Sequence, residues 1–119
     1  MRNFENLRIW QDSRVFVNEI FNLFENSREF GLMDQIKRAS ISIMNNIAEG
    51  SESGTDNLYC RYLNIAKGSC AEVKSMLYIC EDRKICDQIK AEELRVKSDQ
   101  ISSGIFKFLN YLKNQSKNQ

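Results

Sequence analysis

Not one of the 119 residues is proline. Proline removes a backbone donor and clashes with the preceding turn, and at its average usage of about 5% a chain of this length would carry about six. The usual helix breaker is missing, so long, unbroken helices are favoured. Glycine is nearly as scarce: of five, Gly31, Gly50 and Gly54 fall between periodic apolar segments, where the chain is expected to turn.

Between those breaks the apolar residues recur at the helical period. Leu7, Trp10, Val17, Ile20, Phe21 and Phe24 predict a first helix over about 7–26. After a turn from Ser27 to Gly31, the set Met33, Ile36, Ser40, Ile43 and Ile47 predicts a second over 32–50. Thr55 is a suitable N-cap for a third over 55–81, with Leu58, Tyr62, Ile65, Ala66, Ser69, Val73, Met76, Leu77 and Cys80 as its apolar set. Residues 82–90 read as a connection, and Leu94, Ile101, Ile105, Phe108 and Leu112 predict a fourth helix over 91–112. The stretch 113–119 has no apolar residue and is expected to fray. Four amphipathic helices with short connections bury their stripes together as one domain over 1–119, an all-α, antiparallel, up-down-up-down four-helix bundle. Gly68 and Gly104, in helix interiors, are expected where two helices approach closely, since glycine there otherwise costs about 1 kcal/mol.

Several chemistries have no support in the residues. The chain contains no histidine, so it lacks the commonest general base, the Ser-His and Cys-His nucleophile pairs and the commonest transition-metal ligand. It has no glycine-rich phosphate loop. Cys60, Cys70 and Cys80 are ten residues apart, so on a helix each points about 80° from the last, and with no CxxC pair they do not form a zinc site. These three and Cys86 are expected to be free, inert thiols in a reducing compartment. No catalytic residue, metal or cofactor is assigned. The sequence has neither a signal peptide pattern nor an apolar run long enough to span a bilayer, which points to the cytoplasm and away from a membrane partner.

One pattern goes beyond a generic bundle. Gln35, Arg38, Ser42, Asn46 and Glu49 follow one another at steps of three or four residues and form a polar stripe beside the isoleucines of the second helix. The third helix adds Arg61, Gly68 and Glu72. A plainly solvated face would hold more lysine and glutamate and less asparagine, serine and glycine. The stripe reads either as a ligand or partner site or as a hydrogen-bond and ion-pair network that fixes bundle register or subunit contacts. Glu49 and Glu72 with Arg38 or Arg61 offer a carboxylate pair on paper, and their spacing specifies no reaction.

The runs FENLRIWQDS, FGLMDQIKRASISIMNNIAEGS and RYLNIAKGSCAEVKSML resemble the four helix bundle protein family, whose founding members are encoded within intervening sequences of bacterial 23S rRNA genes. The likeness extends from about Phe4 to Leu112, with NIAEG at 46–50 and IAKGS at 65–69 as its most specific combination. Matching positions are Gln35, Arg38, Ala39, Ser42, Asn46, Glu49, Gly50, Arg61, Gly68, Ser69 and Glu72. The resemblance implies a ring-shaped homopentamer, the chain's principal partner then being itself. It also implies a role near nucleic acid, because the related accessory protein of diversity-generating retroelements binds nucleic acid and a reverse transcriptase. Two positions depart from the family pattern: Met44 stands where many relatives have proline, and Met33 where a serine or threonine cap is common, so the second helix is expected to start less firmly and run without a kink.

Charge gives the nucleic-acid expectation little help, since 17 basic and 16 acidic residues leave a net +1. Local candidates for contacts with RNA or DNA are Lys37, Arg38, Lys107, Lys113 and Lys117, with no acidic residue after Asp99 to oppose the last three. Two functions follow as expectations: an oligomeric scaffold for nucleic acid or a nucleic-acid enzyme, or a protein-only assembly module.

Overall fold

The computed structural model describes residues 3–117, the first of them Asn3. Its side chain accepts a hydrogen bond from the Glu5 amide and caps a short 3-10 turn, Phe4–Asn6. Four helices follow: α1 (Arg8–Leu23), α2 (Phe30–Ser51), α3 (Asp56–Asp82) and α4 (Gln88–Lys117), and the described residues contain no strand. Side chains cap the last two. The Thr55 hydroxyl accepts from the Leu58 amide at 3.2 Å, and the Asp87 carboxylate accepts from the Lys90 amide at 2.7 Å.

Cross-helix contacts fix the arrangement. Glu29 meets Arg83, Ser42 meets Ser69, and Gly50 packs on Tyr59, so positions rise on α2 as they fall on α3. The same inversion relates α3 to α4 through Lys74 with Asp99 and Lys67 with Phe106, and α1 to α4 through Glu19 with Lys97 and Ile9 with Gly104. These pairs are antiparallel, and the bundle is a rod of 51 × 20 × 20 Å.

The core is a column of fully buried side chains that includes Phe16, Ile20, Ile36, Ile43, Ile47, Tyr59, Leu63, Val73, Leu77, Leu94 and Ile105. Each such residue contributes about 1.5–3 kcal/mol of apolar burial. Buried serines are mostly satisfied: Ser13 donates to the Ile9 carbonyl at 2.6 Å, Ser40 to the Lys37 carbonyl at 2.9 Å, and Ser98 across the interface to the Cys70 carbonyl at 2.9 Å.

The structure departs from the sequence expectations in specific places. The first helix is shorter than 7–26 because Leu7 and Phe24 already have non-helical backbone angles. Gly31 and Gly50 lie inside α2 and do not form turns; Gly54, with φ +93°, is the glycine that turns the chain. Helix α2 begins two residues early at Phe30 with no side-chain cap, in line with the missing serine or threonine. The fourth helix extends past both of its expected ends. Asp87 caps it early, and 113–117 continues the helix where fraying was expected, with Leu112 buried and neither proline nor glycine following to stop it. Gly104 does sit at a close approach, its missing Cβ position lying 3.0 Å from Ile9, but nothing lies within 4 Å of the corresponding position at Gly68.

Candidate functional site

The polar stripe occupies one side of the groove between α2 and α3, facing outward. Helical spacing puts Gln35, Arg38, Ser42, Asn46 and Glu49 on a single strip of α2, displaced around the helix from the buried Ile36, Ile43 and Ile47. At mid-groove Ser42 accepts hydrogen bonds at 3.0 Å from both Asn46 Nδ2 and Ser69 Oγ, and Asn46 also donates to the Ser42 carbonyl at 2.8 Å. Ser42 and Asn46 are half-buried there, whereas Gln35, Arg38 and Glu49 are exposed. Arg38 turns back along its own helix to Asp34 at 3.0 Å, a partner the sequence reading did not single out although it stands four residues earlier.

Helix α3 supplies the other wall. Leu58, Ile65, Glu72 and Ile79 recur every seven residues, and Arg61, Gly68 and Ser75 form a parallel row. Leu58, Ile65 and Ile79 are 39%, 49% and 46% exposed, large values for residues whose apolar area ordinarily drives burial. The sequence periodicity places Leu58 and Ile65 in the core together with Ala66; of the three only Ala66 is buried, and Tyr59, absent from that set, is buried beside Leu58, with relative exposures of 0% and 1% for Ala66 and Tyr59. The apolar content of α3 therefore divides into an inward stripe and an outward one.

Register sets what the charged members can do. With Ser42 opposite Ser69 and Gly50 opposite Tyr59, Glu49 lies level with Arg61 and Arg38 level with Glu72, across the groove. Among the described residues no hydrogen bond or ion pair engages Gln35, Glu49, Arg61 or Glu72. Glu49 and Glu72 are separated along the bundle by roughly 15 Å at 1.5 Å per residue. Paired carboxylates that share one reaction centre stand about 5–10 Å apart, so these two are arranged as isolated charges along a face.

The basic candidates do not converge. Lys37 leans toward α1, its Nζ 4.5 Å from the centre of the Phe21 ring, while Arg38 is exposed and pairs with Asp34 on its own helix. Lys107 and Lys113 are exposed near the other end of the rod, where Phe108 meets Tyr59. The Lys117 side chain lies outside the described residues. Near Lys107, the Lys67 ammonium sits 5.1 Å from the centre of the half-exposed Phe106 ring.

No group of histidine, cysteine or carboxylate side chains among the described residues is placed to hold a metal ion. All four cysteines are free, Cys70 and Cys80 buried, Cys60 and Cys86 half-buried. Burial pushes the Cys70 and Cys80 thiols up to about 12. No helix of the described residues is long and apolar enough to cross a membrane.

The architecture defines a small four-helix bundle in which the α2–α3 contact is flanked on the outside by a polar strip on α2 and a mixed apolar and charged strip on α3. Residues 5–107 match the profile of the 23S rRNA-intervening sequence protein family, and the chain belongs to that family. It is similar in fold to a protein of unknown function from the S23 ribosomal protein family of Bacteroides thetaiotaomicron VPI-5482, with a TM-score of 0.79 and 23% identity over 85% of this chain and 97% of that one. No curated protein matches.

Proposed function

We propose that this chain is a non-enzymatic, cytoplasmic subunit of a homo-oligomer, a ring-shaped homopentamer as the family resemblance implies, and that copies meet along the α2–α3 groove. The observation that carries this reading is the outward row Leu58, Ile65 and Ile79, spaced by seven and fourteen residues with Glu72 at the place between the last two, beside the parallel row of Arg61 and Gly68. A seven-residue apolar repeat is what a helix presents to another helix, and a residue without a side chain at Gly68 lets that helix come close. Glu49, Arg61 and Glu72 carry charges without partners among the described residues, and a second copy can supply those partners.

Size exclusion with light scattering on the full chain at roughly ten micromolar tests the reading. The wild type elutes as an oligomer, and Ile65→Asp or Arg61→Glu shifts it to monomer with the helical circular dichroism retained. A monomeric wild type, or variants that assemble as the wild type does, overturns it.

A second reading, a scaffold for nucleic acid or a nucleic-acid enzyme, draws support from the α4 end of the rod. The exposed Phe106 ring has the Lys67 ammonium over it and the exposed Lys107 next in sequence, and an aromatic face beside cations suits unpaired bases and phosphates. Its test is gel mobility with structured rRNA fragments at low and moderate salt. Binding that weakens with salt and with Lys107→Glu supports it, and no binding at roughly micromolar protein removes it.

A further inference from the structure

Helix α3 belongs to two outer faces at once, because the helices stand at the corners of a square in which α3 touches α2 on one side and α4 on the other. The α2–α3 face carries Leu58, Ile65, Glu72 and Ile79. On the adjoining α3–α4 face Val96, Asp99, Ser103, Phe106, Asn110 and Lys113 step along α4 by three or four residues, and all six are exposed. Contacts with α3 place this strip. Lys74 pairs with Asp99 at 3.0 Å, the Lys67 ammonium sits over the Phe106 ring, and Arg95, next to Val96, stacks on Tyr78. Tyr78, Val96 and Phe106 are 51%, 44% and 50% exposed, so the α3–α4 face also carries apolar area without cover.

The α2–α3 face does not match itself. Turned end over end about its middle, it sets Leu58 against Ile79 and, in the same register, Ile65 against Glu72, an apolar side chain against a carboxylate with no partner among the described residues. A contact between unlike faces avoids that clash. Since the two faces adjoin at α3, each copy docked through them is turned relative to the last, and such contacts can close into a ring.

We infer that the α3–α4 face of one copy receives the α2–α3 face of the next, the rods lying side by side and pointing the same way, a reading that rests on assembly along α2–α3 and supplies the other half of that contact. Rotation about an axis parallel to the rods leaves height unchanged, so the faces meet level for level, and α3, common to both, sets the scale. Ile79 stands at the height of Tyr78 and Val96. Next along the rod, Arg38 and Glu72 meet Asp99 and Lys74, opposite charges at one level. Ile65, with the bare backbone of Gly68 near it, is level with the Phe106 ring. Glu49 falls at the height of Lys113, and neither has a partner among the described residues. Apolar and charged levels therefore alternate in the same order on both faces.

The test pairs two variants of the full chain, each with one face spoiled. Ile65→Asp keeps the α3–α4 face, and Phe106→Asp, at an exposed position, keeps the α2–α3 face. By size exclusion with light scattering each alone has the mass of one chain, with the helical circular dichroism retained. Mixed in equal amounts at roughly 100 micromolar, where a single weak interface fills, they give the mass of two chains and no more, because each supplies one intact face. Val96→Asp in place of Phe106→Asp gives the same result. If the wild type is an oligomer and both α4 variants assemble as it does, or if the mixture stays at one chain, the α3–α4 assignment is overturned and assembly through α2–α3 still stands. A monomeric wild type overturns both.

Discussion

Ser69 of α3 donates a 3.0 Å hydrogen bond to the hydroxyl of Ser42 on α2, and Asn46 donates to the same oxygen, so one small side chain joins the two walls of the groove. Removing that oxygen leaves the buried Ser69 hydroxyl without its acceptor and takes one of the two bonds of the half-buried Asn46 amide, the one to the Ser42 carbonyl remaining. Ser42→Ala is therefore expected to lower stability by about 1–3 kcal/mol, which urea denaturation at two wavelengths will measure. In the Ser69→Ala background the same change should cost clearly less, because one of the two donors is already gone. Equal costs in both backgrounds would show that the serine pair contributes nothing of its own.

Gly50 and Gly68 predict opposite outcomes from the same substitution. A Cβ at Gly50 stands 2.8 Å from the Tyr59 ring and 3.0 Å from Tyr62 Cβ, so Gly50→Ala should destabilise the chain by about 1–3 kcal/mol through overpacking. At Gly68 the added methyl meets open space, and Gly68→Ala in the middle of α3 should stabilise an isolated chain by about 0.5–1 kcal/mol through helix propensity. Thermal unfolding under conditions that keep the protein monomeric separates the two. If copies meet along α3, the same Gly68→Ala change lowers their affinity while raising the stability of each.

That contrast also shows how much of the molecule was legible beforehand. Ile36, Ser40, Ile43 and Ile47 stand at core spacing in the sequence and are buried, because α2 has one apolar stripe to read. Helix α3 has two, and periodicity alone merges them: Leu58 and Ile65 were grouped with Ala66, Val73 and Leu77, though only the last three face the core. The available signal is the spacing of Leu58, Ile65 and Ile79 at multiples of seven, in a row that Glu72 completes. The polar strip on α2 was readable as a strip, but its partners were not, since the bond from Ser69 to Ser42 spans 27 positions and depends on register. The start of α4 was misplaced for a local reason, as Asp87 is an N-cap hidden within a charged stretch.

Arg95 is a buried charge whose necessity can be tested. Its Nη2 lies 2.9 Å from both Glu81 and Glu92, its guanidinium carbon is 4.0 Å from the centre of the Tyr78 ring, and its Nη1 is buried without a partner. Arg95→Ala removes the packing against Tyr78 as well as the ion pairs and should cost about 2–3 kcal/mol. Arg95→Met keeps the stem, ends the desolvation of an incompletely satisfied guanidinium and should stay within about 1 kcal/mol of the wild type. Chemical denaturation of both variants decides the matter, and a methionine variant as damaged as the alanine one would mean that the charge itself is required.

The buried thiols set the alkaline limit of the fold. Burial raises Cys70 and Cys80 from 9.0 to about 12, so between those values the unfolded chain loses thiol protons that the folded chain keeps. Stability rises with pH only where the unfolded state binds more protons; here the folded state binds more, so stability is full below about 9 and falls as pH climbs toward 12. Lys97 acts in the same direction, since its hydrogen bond to Glu19 raises its ammonium above 10.5 and that contribution is lost on deprotonation. The melting temperature is expected to decline steadily above about pH 9, and less steeply in Cys70→Ala. At pH 8 an aromatic disulfide reagent should modify the half-buried Cys60 and Cys86 in the native protein, leaving Cys70 and Cys80 protected until denaturant exposes them. Four thiols reacting at one rate without denaturant would mean that the core opens far more readily than its packing allows.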